Sequence, residues 1–455
     1  MKKNWVPLSL FTFPLVSLIL SLACTLPFSN NSIDNSTAAD TIYETEILIW
    51  VEVPGETPED EIIQLIILDE VSGLNFNSKT VDMLKVDDTH HGVVLRVQVG
   101  TVLKYRFARS GESKSIEQTS DGETVRYRMY YADSPGEVHD IVSKWEDTDI
   151  IRGTGKIIGL IGDVESNEPI ENMLILVGGQ QVFSKVDGSF EITGLPSGQH
   201  QLVAYSTDGN YKTFKQNVII EEDLTTPVTI HSEKSIWVDV VITVNVPENT
   251  VPAVPLRLTG NLNQSGNSFI DLGGSIGGNP KLMQMMNEIE TNQYQVVISL
   301  PIGADFRYKF TLGDGFWNAE RNIEGELVTR QFIVPANQTQ LSITDTVISW
   351  NSVDFAGIWF DLNVPKNLSD EDKLFLQFKQ EDWLSPIPMW HIQEYRWAYK
   401  LLGPTGIGDL IYRYCVNEIC EGQNSSVNDQ ELIVRKTRTD YPETSYLLDE
   451  IIFWD

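Results

Sequence analysis

Cysteine is scarce in this chain of 455 residues: only three occur, too few for a fold stapled by disulfides. Basic charge is scarce as well, 33 Lys and Arg against 64 Asp and Glu, for a net charge of −31. Such a surface repels phosphate backbones, which argues against nucleic acid as a partner. The acidity is spread along the chain and not gathered in a tail, so it reads as a solubility device. Beyond Leu22 no apolar run is long enough to cross a membrane. Catalytic signatures are missing too. There is no Gly-x-Ser-x-Gly, no His-Glu-x-x-His and no phosphate-cradling Gly-rich loop ahead of a helix. No catalytic residue, metal or cofactor is therefore expected. Asp87-Asp88-Thr89-His90-His91 has metal-ligand side chains, but neighbouring histidines on a strand or turn point apart, and a solvated loop is the better reading.

What is present begins with an export signal. Lys2 and Lys3 precede an apolar run from Trp5 to Leu22, which ends in Ser21-Leu22-Ala23-Cys24. A cysteine directly after a small residue resembles the lipobox of bacterial lipoproteins, and that resemblance implies lipid attachment at Cys24 and an anchor in a membrane. Ser21 stands where that motif usually has Leu. A plain signal peptide cut nearby and an uncleaved anchor helix remain alternatives. Residues 25–41 are rich in Asn, Ser and Thr and read as a flexible tether. With Cys24 acylated, Cys415 and Cys420 remain, and an even remainder in an exported chain suggests one local disulfide; two free thiols are the alternative.

The rest reads as strands. Ile47–Val53, Trp237–Val244 and Gly357–Val364 alternate apolar and polar residues, and they run into Pro54, Pro247 and Pro365. Short alternating runs bounded by Pro, Gly and Asn predict β-sandwiches. Two further landmarks recur in the same order. One is a Tyr-basic-aromatic strand at Tyr105, Tyr308 and Tyr412; the other is an Asp followed five residues later by Trp, at Asp140, Asp345 and Asp449. From Tyr105 to Trp145, Tyr308 to Trp350 and Tyr412 to Trp454 the separations are 40, 42 and 42 residues. Three homologous units are therefore expected at 41–148, 235–352 and 355–455. The terminal Trp of each unit varies so little in place that it reads as structural.

Between the first and second units, residues 151–232 carry Asp187-Gly188-Ser189-Phe190-Glu191-Ile192-Thr193-Gly194-Leu195-Pro196-Ser197-Gly198, two tight turns around a strand. This segment resembles the carboxypeptidase regulatory-like domain, a small transthyretin-like sandwich, and the resemblance implies a spacer without catalytic residues. The fold expected is thus all-β: a string of four Ig-like or transthyretin-like β-sandwich domains.

The three repeats resemble starch-binding carbohydrate modules, the middle one most clearly, through Gly260-Asn261, Leu300-Pro301-x-Gly303, Phe306–Phe310 and Trp317-Asn-Ala-Glu-Arg-Asn322. The resemblance implies that Trp317 is one wall of a sugar platform, with Glu320 and Asn322 beside it. An indole suits that task because the C–H face of a pyranose stacks on its ring while polar neighbours hold hydroxyls. In the first repeat Ile116-Glu117 stands in place of the Trp-Glu pair. The third repeat has Trp383 and Trp390 in a Pro-interrupted loop, and exposed loop tryptophans suggest ligand contacts. Trp397 falls in an alternating strand and reads as core.

The function expected is that of a non-catalytic, lipid-anchored protein on the extracellular face, binding polysaccharide of the starch or α-glucan type. A structural or adhesive spacer of the envelope is the alternative. So is the accessory part of a glycoside hydrolase system whose enzyme is separately encoded, since the chain stops one residue after Trp454.

Overall fold

The computed structural model describes residues 43–450 apart from 69–78, 112–114, 251–253, 268–280, 314–316, 339, 352–356, 365–371, 380–382, 385, 404–408, 418, 422–434 and 439–444. The export signal, Cys24, Trp454 and part of the loop before Trp390 lie outside the described residues. Among the described residues the chain is strand and turn, with one short 3-10 turn at Asn263–Ser265 and no α-helix. The fold is all-β, and its sheets fall in chain order into four sandwiches.

Alternation builds the first strand of each repeat. In Glu44–Glu52 the residues Ile47, Ile49 and Val51 are buried while Glu44 and Glu46 face outward, as a two-residue side-chain period requires. That strand pairs antiparallel with His90–Gln98 and parallel with Gly136–Ile141. Trp237–Asn245 pairs the same way with Gln293–Pro301 and Gln340–Thr346, and Ile358–Asn363 with Arg396–Leu401 and Ser445–Glu450. Even the register repeats. The Asp of the third landmark lies opposite the same place in each first strand: Asp140 opposite Val51, Asp345 opposite Val244 and Asp449 opposite Leu362. A one-residue slip would turn the apolar face outward, so burial locks this register.

In the 151–232 segment, Thr154–Asp163 pairs antiparallel with Ser189–Pro196 and parallel with Thr225–Ser232, and a four-stranded sheet covers it. Its Asp187-Gly188 turn needs glycine. Gly188 has φ +74, and a Cβ there would meet the Ile161 carbonyl oxygen at 2.4 Å.

The cores are less separate than the sequence suggests. Repeats 2 and 3 share one continuous hydrophobic cluster, running from Val238 and Phe310 through Trp317 to Phe360, Phe378 and Tyr399. Repeat 1 and the 151–232 segment keep cores of their own. A smaller cluster joins those two, with Val102, Tyr127 and Met129 against Leu174, Val203 and Tyr205.

Polar bonds rivet the other joints. The Val102 amide donates to the Asp305 carboxylate at 2.9 Å, and Arg307 donates to the Val102 carbonyl at 3.3 Å, linking repeats 1 and 2. Asn263 donates to the Thr207 hydroxyl at 3.1 Å, linking the 151–232 segment to repeat 2.

Candidate functional site

The three sequence landmarks converge on one buried network. The Tyr105 hydroxyl donates to Asp140 at 2.7 Å, and the Tyr308 hydroxyl donates to Asp345 at 2.7 Å. In repeat 3 both Tyr412 and Tyr414 donate to Asp449, at 3.0 and 2.6 Å. An arginine completes each cluster. Arg128 donates to Glu117 at 2.7 Å and to Asp140 at 2.9 Å; Arg330 donates to Glu320 at 2.7 Å and to Asp345 at 2.9 Å. Arg435 pairs with Glu421 and lies 3.7 Å from Asp449. The glutamate also accepts a backbone amide at the equivalent place each time, from Phe107, Phe310 and Tyr414. Burial alone would lower Arg128, but Glu117 and Asp140 more than offset it and hold the guanidinium above its ordinary range. Burial and then Asp140 push the Tyr105 hydroxyl well above its usual value.

This network corrects the reading of Glu320. It is almost fully buried, and its carboxylate is committed to Arg330 and the Phe310 amide, so it is a frame residue and not a sugar ligand. Glu117 is its counterpart in repeat 1, which puts Ile116 at the place of Ala319 and Lys114 at the place of Trp317 in the sequence. The three arginines escaped the sequence reading although a signal exists: each follows the landmark tyrosine by 22 or 23 residues, as Arg128 does Tyr105, Arg330 does Tyr308 and Arg435 does Tyr412.

Trp317 is corrected as well. It is fully buried, with its ring 4.6 Å from Phe378 of repeat 3, and a ring without an open face cannot stack a pyranose. Asn318 beside it adopts the left-handed φ of 55 that asparagine tolerates. Its side chain donates to the Lys400 carbonyl at 2.6 Å and accepts from the Leu402 amide at 2.6 Å. Trp317 and Asn318 therefore form a peg from repeat 2 into repeat 3. Asn322 closes a turn, accepting the Glu326 amide at 2.9 Å.

Trp390 is only 8% exposed and lies edge-on to Trp359 at 6.2 Å; it belongs to the shared core, not to a ligand face. Trp383 is half-buried, with the Arg413 guanidinium 4.0 Å above one side of its ring. Trp397 is partly buried against the shared core. Two of the terminal tryptophans are structural: Trp145 donates to the Thr57 hydroxyl at 2.9 Å and Trp350 to the Thr250 hydroxyl at 2.8 Å. Cys415 and Cys420 are joined in a disulfide across a hairpin.

One hollow of about 230 Å³ is lined by Glu171, Asn172, Asp208, Asn210 and Tyr211, and Asp208 is occupied in accepting from Ser206 and from the Asn210 amide. Among the described residues no three His, Cys, Asp or Glu side chains gather as a metal would require. His90 bonds Asp87 at 2.9 Å, while His91 is buried, so the two histidines do point apart. The Thr89 and His90 amides and the His90 ring hold the exposed Asp87 carboxyl down to about 2.

His200 of the 151–232 segment is expected to make the stability of the fold depend on pH. Its ring is buried and bonded to the Pro196 carbonyl at 2.7 Å. Burial lowers its pKa, opposed by that bond. An unfolded histidine titrates near pH ~6.5, so the unfolded chain binds the proton first, and stability present above that pH is lost as pH falls through it. His91, lowered by burial and then by Lys85, acts in the same direction. The melting temperature is therefore expected to fall between pH 7.5 and 5.5, and His200→Gln to flatten part of that slope. An unchanged slope in the variant would remove His200 from the account.

No protein family matches the chain, and neither does any curated protein. Among solved structures it is similar to the Bacillus anthracis TIE protein, at 10% identity over 90% of this chain and 68% of that one, with a TM-score of 0.18. A streptococcal ancillary pilin shares 11% identity over 66% of this chain and 99% of its own, TM-score 0.19. A family 15 glucoamylase from Hypocrea jecorina shares 16% over 27% of this chain and 20% of its own, TM-score 0.19. Scores this low carry nothing about what the chain does.

Proposed function

We propose that the chain is a non-catalytic surface scaffold: four sandwiches held in one rigid body, exported and tethered through Cys24 and the 25–41 segment. The observation that carries this reading is the joinery. Side chains that the sequence offered to a ligand, Trp317 and Trp390, are spent inside the core shared by repeats 2 and 3, and bonds between repeats are buried, as at Val102–Asp305. A buried hydrogen-bonded joint resists bending because opening it would strand its polar groups. Spin labels at Glu137 in repeat 1 and Glu290 in repeat 2, both on exposed sheet positions, are expected to give one narrow distance distribution. A broad distribution would mean independently moving beads and end this proposal. On the same preparation, Cys24→Ser is expected to move the protein from the detergent phase to the aqueous phase; no such move would remove the lipid anchor alone.

A second reading, capture of neutral polysaccharide, is favoured by an aromatic side chain left on an outward sheet face, Trp50. The likeness of the repeats to starch-binding modules then extends beyond the frame, though the binding residues differ from those of the module.

A further inference from the structure

Repeat 1 carries a flat aromatic surface that its frame does not require. Trp50 lies on the outward face of Glu44–Glu52, outside every hydrophobic cluster and half-buried. Its Cα partner on the neighbouring strand is Gly92. A Cβ on Gly92 would sit 3.2 Å from two carbons of the indole and 3.7 Å from a third, so the six-membered ring lies down across the glycine. Glycine within a strand marks a place where another group must come close. Here that group is the indole, whose six-membered ring packs on the Gly92 backbone while the side chain as a whole stays partly exposed.

The surroundings extend this floor. Its Cα partner on the other neighbouring strand is His139, whose ring stacks within 11° of parallel at a centroid distance of 6.3 Å. Leu84, opposite Gly92, is 46% exposed on the far side. One rank along the same face, Glu52 stands opposite His90, with their side chains 4.0 Å apart. Arg152 donates to Glu52 from the start of the adjoining segment. A flat apolar floor thus has hydrogen-bond donors and acceptors along one edge.

The other two repeats show that this is an addition. Four residues before the landmark proline, where repeat 1 has Trp50, repeat 2 has Thr243 and repeat 3 has Asp361. Thr243 accepts from its cross-strand partner Gln295 at 3.0 Å, and Asp361 pairs with Arg396. The same sandwich is therefore built with polar pairs at this place. Only in repeat 1 do a large aromatic and the glycine that cradles it occur together.

We infer that the Trp50–Gly92 surface of repeat 1 is a binding site for a neutral pyranose unit of a polysaccharide, stacked on the indole, with its hydroxyls held by Glu52, His90 and His139. Stacking of C–H faces on an indole with polar groups at its rim is the chemistry that recognises such a ring. The charge selects the neutral class. Glu46, Glu52 and Glu137 share this face, the first two paired with Arg96 and Arg152, and a chain of net charge −31 repels uronic or sulfated glycans. This inference rests on the polysaccharide reading and names its site.

Affinity electrophoresis of the mature chain in gels containing amylose, pullulan or xylan tests it, with Trp50→Ala, Trp50→Tyr, Gly92→Val and Tyr446→Ala run alongside. The wild-type chain is expected to be retarded in at least one gel. Trp50→Ala is expected to weaken that retardation at least tenfold, and Gly92→Val to weaken it by lifting the ring. Trp50→Tyr should keep part of it, and Tyr446→Ala all of it. Melting curves of each variant separate lost binding from lost folding. Retardation of the wild type that survives in folded Trp50→Ala, or that disappears in Tyr446→Ala instead, overturns the site and leaves polysaccharide binding standing. No retardation of the wild type in any gel overturns both.

Discussion

Arg128→Met is expected to lower the melting temperature of the first repeat by more than about 10 °C. The guanidinium is 3% exposed and answers two carboxylates, Glu117 and Asp140, together with the Ile141 carbonyl at 2.8 Å. Methionine fills comparable volume but leaves both carboxylates buried without a counter-charge. Breaking a buried pair from one side costs about 3–5 kcal/mol, and each kcal/mol moves the midpoint of a domain of this size by roughly 4–8 °C. Arg96→Met serves as the control. Arg96 meets Glu46 at 2.8 Å, with both side chains more than 40% exposed, and such a pair contributes at most about 1 kcal/mol. Calorimetry decides: if Arg128→Met melts within a few degrees of Arg96→Met, the network does not hold the frame.

Much of this frame was legible in the residues. Alternating β-branched strands ending at proline marked the first strand of each repeat, because burial on one face writes a period of two into the chain. The recurring Tyr and Asp were found as spacings, and the structure supplies their bond. What spacing could not convey was orientation. Trp390 looked like a loop tryptophan because the sequence around it is Pro-rich, but Tyr399 of the same hairpin lies 5.3 Å from it; Trp317, matched to a sugar platform by resemblance, is covered by Phe378 of the next repeat. Burial by a neighbouring domain leaves no local pattern. Trp50 illustrates the converse. Inside an alternating strand it looked like ordinary sheet, and only its register against Gly92, fixed by pairing across about forty residues, shows that the ring lies flat. The repeated glutamate was also misassigned for a local reason: Glu320 has a tryptophan three residues before it, whereas its true equivalents, Glu117 and Glu421, do not.

Trp317→Ala separates a structural peg from a sugar platform, because the two roles move different readouts. As a peg, the indole fills the seam between repeats 2 and 3, against Phe378, and its backbone is so closely packed that a Cβ on Gly313 would meet the Trp317 carbonyl at 2.4 Å. Removing the ring leaves a cavity that closely packed neighbours fill only in part, at a cost of about 3–5 kcal/mol. Since the two repeats share one hydrophobic cluster, that loss should appear as a lower melting transition common to both, and as a split into two transitions once the seam no longer couples them. Trp317→Phe, which keeps a ring in the seam, should cost much less. Retardation by any polysaccharide that slows the wild type should be unchanged in Trp317→Ala below its melting temperature. The opposite pattern, an unshifted melt with retardation lost, would put the ring in solvent against a sugar and would break the shared core at its centre.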